Sequence, residues 1–299
     1  MQRAIFILGA NGQFSGENLQ DHSLSCAAWE RQDNGITLDT LRNNASFAVE
    51  QAALYASNSD SPASILGETV PSIAYISLQT LVGETTAKLL IAEAAAYVEA
   101  STVPYKRALQ EQITFLQQYP EVVGQMEFIG DDGFFCSPGK PAPNKTYATF
   151  QAGPQHLLSR GSVHINSSRA SDYPIINPNY FSVPFDIKVA TAGISYLRKI
   201  ATTPEYAAIF GMEVVPGLGV DLQNYTTTVG LNTEFHPIGT ASMLPRSQGG
   251  VVDSWLKVYG TSNVRVVDAS IMPLHISAHI QATTYGIAEK AADIILSGQ

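Results

Sequence analysis

Two hydrophobic periods divide the chain. Between residues 40 and 120 apolar side chains recur at helical spacing: Leu41, Phe47, Val49 and Ala53, then Leu89, Ala92, Ala96 and Val98, then Leu109, Ile113 and Leu116. That spacing lines them up on one face of an amphipathic helix. Helices are expected over 40–55, 85–100 and 105–118, the last bounded by Pro104 and Pro120. From Gln125 alternation takes over, in 126–129, 147–151 and 161–166, with a turn at Asp131-Asp132-Gly133 and a Pro-rich surface loop at 138–145. A turn-rich connector at 172–180 leads to one more helix, 185–202, with Ala190, Ile194, Leu197 and Ala201 on one side. Strands with helices packed over them, in irregular order, predict an α+β (mixed α/β) fold, an antiparallel sheet flanked by helices.

The first residues offer a competing pattern. Ala4 to Leu8 reads as a buried strand, Gly9, Gly12 and Gly16 follow, and Asp39 lies near the distance of a ribose-binding acid. A nicotinamide-dependent dehydrogenase using Gly9 and Gly12 is the lesser alternative. The spacing is G-x-x-G-x-x-x-G, and no β-α-β alternation follows it.

Of the 299 residues, 17 are Lys or Arg and 26 are Asp or Glu, a balance of −9 that argues against nucleic acid or an anionic membrane as the main partner. No apolar run reaches the length of a membrane span; the densest, Leu89-Leu90-Ile91, is broken by Glu93. Cys26 and Cys136 lack metal-ligand spacing and leave one disulfide or two buried thiols equally open. Four Asn-x-Ser/Thr sequons, at Asn44, Asn144, Asn166 and Asn224, suit a secreted glycoprotein, although no signal peptide is visible before Gly9.

The chemistry-bearing residues concentrate after Phe235. His236-Pro237-Ile238-Gly239-Thr240 and Ser277-Ala278-His279-Ile280-Gln281 bracket a segment that reads strand, turn, strand, helix. The last helix is expected to be capped by Thr283 or Thr284 and to bury Ile287, Ala291, Ile294 and Ile295. His275 stands four residues before His279, but no third ligand stands near for a metal, and it is read as core or cavity wall. His22, His156 and His164 are read as ordinary structural histidines.

Five ordered blocks carry a resemblance. Gly16-Glu17-Asn18-Leu19-Gln20-Asp21-His22, Ser159-Arg160-Gly161-Ser162-Val163, Asn177-Pro178-Asn179-Tyr180-Phe181, His236-Pro237-Ile238-Gly239-Thr240 and Val267-Asp268-Ala269-Ser270-Ile271-Met272-Pro273 occur in this order. Together they resemble the C-terminal half of the glucose–methanol–choline (GMC) family of flavin oxidoreductases, over Gly16 to Gln299. The resemblance implies residues 1–22 as the remnant of a flavin-binding half and linker, 23–235 as a substrate domain, and 236–299 as an active-site and flavin-covering return segment of an FAD-binding domain. The half that binds the ADP portion of FAD lies outside the matched blocks, so a partner supplying it is expected.

The same resemblance implies FAD as cofactor and a small alcohol as substrate, oxidised to an aldehyde, ketone or lactone, with oxygen or a quinone as electron acceptor. Fungal secondary metabolism is one setting for such an activity. His236 and His279 correspond to the residues before the flavin face. Spacing does not decide which takes the proton; the reading favours His236 as base and His279 as hydrogen-bond partner to the alcohol oxygen. Asp268 and Ala269 would contact the flavin side chain, Ile280 and Gln281 the ring edge, and the last helix would direct its N-terminus at the pyrimidine carbonyl. The other reading is a non-catalytic fragment without FAD.

Overall fold

The computed structural model describes residues 15–33, 35–57, 64–67, 72–137, 139–169 and 171–298. The Ala4–Leu8 strand expected from the sequence, with Gly9 and Gly12, lies outside them.

In chain order the strands are β1 (Ser23–Arg31), β2 (Ser72–Ser77), β3 (Gly124–Asp131), β4 (Tyr147–Pro154), β5 (Ser162–His164), β6 (Ile175–Asn177), β7 (Phe210–Val215) and β8 (Asn232–Thr233). The helices are α1 (Leu38–Asn43), α2 (Ala45–Ser57), α3 (Leu78–Val82), α4 (Glu84–Ala100), α5 (Lys106–Gln118), α6 (Pro184–Ala201), α7 (Pro204–Ala207), α8 (Leu222–Thr227) and α9 (Gln281–Leu296). The main sheet runs β2-β3-β4-β1-β7, with β8 also paired to β1; the pairings are antiparallel, and β5 and β6 form a separate ribbon. This is the mixed α+β architecture expected from the sequence, an antiparallel sheet flanked by helices.

Successive side chains of a strand point to opposite faces, and here the faces have different jobs. Met126 and Phe128 on β3, Ala148 and Ala152 on β4 and Ala27 and Trp29 on β1 join the main core with α4, α5 and α6. Gly193 on α6 lets that helix close on the sheet: a Cβ there would stand 2.7 Å from the Met126 methyl. On the opposite face stand Tyr75, Glu127 and Gly153, in register across β2, β3 and β4. Burying about 25 cal/mol per Å² of apolar surface drives the first face together, whereas the second has to satisfy polar groups.

Details depart from the sequence reading where the period alone leaves the phase open. The helix expected over 40–55 breaks at Asn44, which turns extended and accepts a hydrogen bond from Phe47 N with its side chain. In Ala-rich α4 the buried stripe is Ala87, Leu90, Ile91, Ala94 and Val98, and Leu89 faces solvent. Leu109, Ile113 and Leu116 of α5 are buried as expected. The stretch 236–268 holds no strand; single bridges such as Gln20–Ile238 and Met243–Val252 tie it down instead, because its glycines and turns interrupt any ladder. Cys26 and Cys136 form a disulfide. No helix among the described residues is long and apolar enough to cross a membrane.

Three of the sequence blocks meet at Arg160. Its guanidinium is buried and donates to Asn18 Oδ1 at 2.9 Å, Gln112 Oε1 at 3.0 Å and the carbonyls of Leu157 and Ser159. Asn18 Nδ2 in turn donates to Ser242 Oγ and to the Pro273 carbonyl. A buried cation needs such full hydrogen bonding to be tolerated. The cluster pins the C-terminal segment against the rest of the fold.

Candidate active site

Glu127 sits mid-strand with apolar Met126 and Phe128 on either side, and its side chain has no solvent exposure. A carboxyl group there is tolerated only if donors answer it. His279 Nε2 lies 2.8 Å from its Oε1, Gln155 Nε2 donates to its Oε2 at 3.0 Å, and Tyr75 stands opposite it on the neighbouring strand. Across from Glu127 on β4 stands Gly153. A Cβ at Gly153 would come within 2.8 Å of Glu234 Oε2, so glycine there makes room for a second carboxyl group.

Glu234 approaches from the segment after β8. Its backbone N–H donates to the His22 carbonyl at 2.9 Å, and its side chain is 4 % exposed. Around that carboxyl stand His236 Nδ1 at 3.4 Å, His279 Nε2 at 3.5 Å and His22 Nδ1 at 3.6 Å. Burial first, and then the charge of Glu127, raise the Glu234 pKa far above the carboxylate range.

Asp21 places His236. One oxygen of Asp21 accepts from the His236 backbone N–H at 2.8 Å, and the other takes the hydroxyls of Thr233 and Tyr180. Phe235, immediately before, is held at φ 62° with its ring 81 % exposed. For a bulky residue that backbone region is costly, and such strain gathers at functional sites. Burial lowers the His236 pKa, while Glu127 and Asp21 oppose the shift.

The rings of His236 and His279 are 4.9 Å apart, centre to centre. Behind them His22, 1 % exposed, stacks at 3.6 Å on His275, whose Nε2–H donates to the His236 carbonyl at 2.8 Å. Burial pulls both of these histidines below the ordinary imidazole range, His275 to about 3. They support His236 from behind, as neutral core groups. His156 bonds Ser277 Oγ at 2.8 Å, and His164 pairs with Glu17 at the surface.

Helix α9 starts one residue after Ile280. The expected cap at Thr283 or Thr284 is not made: Ile280 is the N-cap, no side chain caps the helix, and Thr284 Oγ1 donates back to the Ile280 carbonyl. Thr284 is already inside the first turns, so its hydroxyl meets a helical carbonyl instead of free N–H groups. Ala291 and Ile294 are buried with Ile287 packed beside them, while the expected Ile295 is half exposed.

Of the expected cofactor contacts, Gln281 is exposed in the first turn of α9, and the Ile280 side chain is turned into a small core with Ile238 and Met272. Asp268 caps the short 3-10 turn Ala269–Ile271 by accepting from Ser270 N. Asp268 and Ala269 line a groove of about 1260 Å³ with Asp21, Tyr180, Pro237 and Arg265. His236 and His279 stand outside that groove's lining.

Sequence reasoning missed Glu127 and Glu234. One signal was present for each: an acid between apolar residues of a strand, and an acid two positions before His236. Together with the histidines they form two groupings whose ligand atoms lie within 4.8 Å, His22-Glu234-His236 and Glu127-Glu234-His279.

Residues 158–288 match the family model described as GMC oxidoreductase. A GMC oxidoreductase family protein, Mala s 12 of Malassezia sympodialis, is 36% identical over 294 residues, which is 94% of this chain and 42% of that protein. An FAD-dependent oxidoreductase from Chaetomium thermophilum superposes with a TM-score of 0.79 at 28% identity, over 95% of this chain and 48% of the other. A fungal aryl-alcohol oxidase gives a TM-score of 0.75 at 30% identity, again over 95% and 48%. The chain thus spans about half the length of the relatives it matches. With the paired histidines, the ordered blocks and the shared fold in agreement, this chain belongs to the GMC oxidoreductase family.

Proposed function

We propose that the chain carries the substrate-side half of an FAD-dependent alcohol oxidoreductase site, in which His236 is the base and His279 the donor to the alcohol oxygen. The observation that carries this is the 4.9 Å pairing of the two rings, one residue before an uncapped helix N-terminus.

The residues present suit the cofactor. The first turn of α9 holds no acid and no capping side chain, so its N–H groups are unanswered and favour negative charge. That is the charge the pyrimidine edge of a flavin gains on reduction. Gln281 and the backbone of Ile280 would meet that edge, and Asp268 and Ala269 the flavin side chain. FAD, when bound, supplies the hydride acceptor.

The chain's own groups divide the acid–base work. Burial keeps His236 neutral, so it can take the hydroxyl proton. His279 is oriented by buried Glu127, whose Oε1 lies 2.8 Å from Nε2, and is the group we assign to the alcohol oxygen. Donation to oxygen strengthens as charge develops there, which lowers a barrier instead of only tightening binding. The product is an aldehyde, ketone or lactone, and the electrons pass on to oxygen or a quinone.

Because the chain spans about half of its relatives, the ADP-binding part of the site is assigned to a further stretch or partner. The disulfide and the exposed sequon residues Asn44, Asn144, Asn166 and Asn224 support a secretory route.

The test is reconstitution with the FAD-binding half of a relative. Flavin absorption should appear and bleach on adding alcohols, aryl alcohols first. His236→Ala and His279→Ala should slow bleaching about 10²–10⁴-fold. Normal bleaching in both variants would sink the assigned roles. A chain that folds and docks yet takes up no flavin would favour the non-catalytic reading.

A further inference from the structure

We propose that Glu234 is a positioning residue: it keeps a proton beside ionised Glu127 and holds His236 as the tautomer protonated on Nδ1, leaving Nε2 free to act as base. The inference rests on His236 being the base; the arrangement itself does not.

Glu127 is already answered by two partners, His279 Nε2 and Gln155 Nε2. Glu234 is not. Both of its oxygens are buried, and no N–H or O–H donor among the described residues bonds them. The Glu127 carboxyl stands close by, with ligand oxygens of the two within 4.8 Å. Two buried like charges this close cannot both be ionised cheaply. The proton therefore belongs to the pair, and Glu234 is the member without other donors.

A neutral Glu234 still has an acceptor oxygen, Oε1, 3.4 Å from His236 Nδ1. That nitrogen is buried and, like Oε1, has no hydrogen-bond partner. Placing the ring proton there satisfies both atoms, and the lone pair falls to Nε2. The remaining charged and titratable groups around the pair give no competing donor to Nδ1. Asp21 is taken by the His236 backbone N–H, Thr233 and Tyr180. His275 donates to the His236 carbonyl, and His22 lies edge-on to the His236 ring at 5.5 Å. The ring of His279 faces the same carboxyl pair through Nε2.

The arrangement is read without flavin or turnover, by ¹⁵N NMR of imidazole tautomers in the full chain at neutral pH. His236 should favour Nδ1–H by about tenfold, the weight of one buried hydrogen bond. Glu234→Gln should keep that preference, because an amide can donate to Glu127 and accept from Nδ1. Glu234→Leu should abolish it, with circular dichroism confirming the fold. An infrared carbonyl band of a protonated carboxyl should be present in the parent chain and absent from Glu234→Gln. An Nε2–H tautomer in the parent chain, or no protonated carboxyl at neutral pH, would overturn the proposal. So would a stoichiometric divalent cation in the purified protein, since the same atoms converge closely enough for one. If the tautomer is found but the reconstituted protein oxidises no alcohol, the functional reading fails and this one stands.

Discussion

Nε2 of His279, a partly exposed side chain, lies 2.8 Å from Oε1 of Glu127, a wholly buried one, 152 positions earlier in the chain. The pair joins the sheet to the segment that carries the proposed site. Glu127→Leu removes the acceptor for His279 and Gln155 together, and should cost about 2 kcal/mol of stability. Glu127→Gln, which keeps an acceptor, should cost less. Urea denaturation of the two variants checks the order; equal losses would mean that volume, not hydrogen bonding, matters at this position.

The buried histidines make a pH prediction with a definite sign. Burial, the largest cause, holds His275 at about 3, against an ordinary value near 6.5. Its stabilising contribution is complete above pH 6.5 and is lost as pH falls toward 3, because only the unfolded chain takes the proton there. His275→Gln can keep the donor to the His236 carbonyl without titrating. Below pH 6.5 the stability of the parent chain should therefore fall relative to that of the variant, by up to about 1.4 kcal/mol per pH unit. Parallel curves would show that His275 is protonated in the fold.

Arg160 should prove more expensive to lose than any surface charge. Arg160→Met strands Asn18 Oδ1, Gln112 Oε1 and two carbonyls, and about 3 kcal/mol is expected by analogy with broken buried ion networks. Hydrogen exchange should quicken at Leu19 N and Gln20 N, which bond Gly161 and Ile238. Unchanged protection there would mean that the segment 16–22 is held by something else.

The disulfide closes a span of 110 residues. Chain-entropy reasoning assigns such a loop about 4–5 kcal/mol. Reduction, or replacement of both cysteines by alanine, should lower stability by that order without moving His236 or His279. A loss confined to a few tenths would argue that the unfolded chain is already compact around Cys26 and Cys136.

The sequence carried the architecture well and the site only in part. Leu109, Ile113 and Leu116 announced α5 because polar residues fill its other face; α4, with alanines all round, gave its existence but not its buried side. His236 and His279 were visible through the blocks around them. Glu127 was not, because its role depends on strand register: only pairing with Tyr75 and Gly153 brings it under His279. Glu234 needed the fold as well, since nothing in its local sequence shows that Gly153 leaves space for it. The last helix was legible as an amphipathic stripe, but its bare N-terminus ran against the threonines that suggested a cap.

Gly153 carries an evolutionary consequence. A glycine inside a paired strand forfeits side-chain packing and adds entropy to the unfolded chain. Here the vacancy it leaves is filled by the Glu234 carboxyl, so the two positions should drift together. A descendant that gains even a methyl group at 153 would be pressed to trade its acid at 234 for something smaller, and the paired histidines would have to find another counterweight.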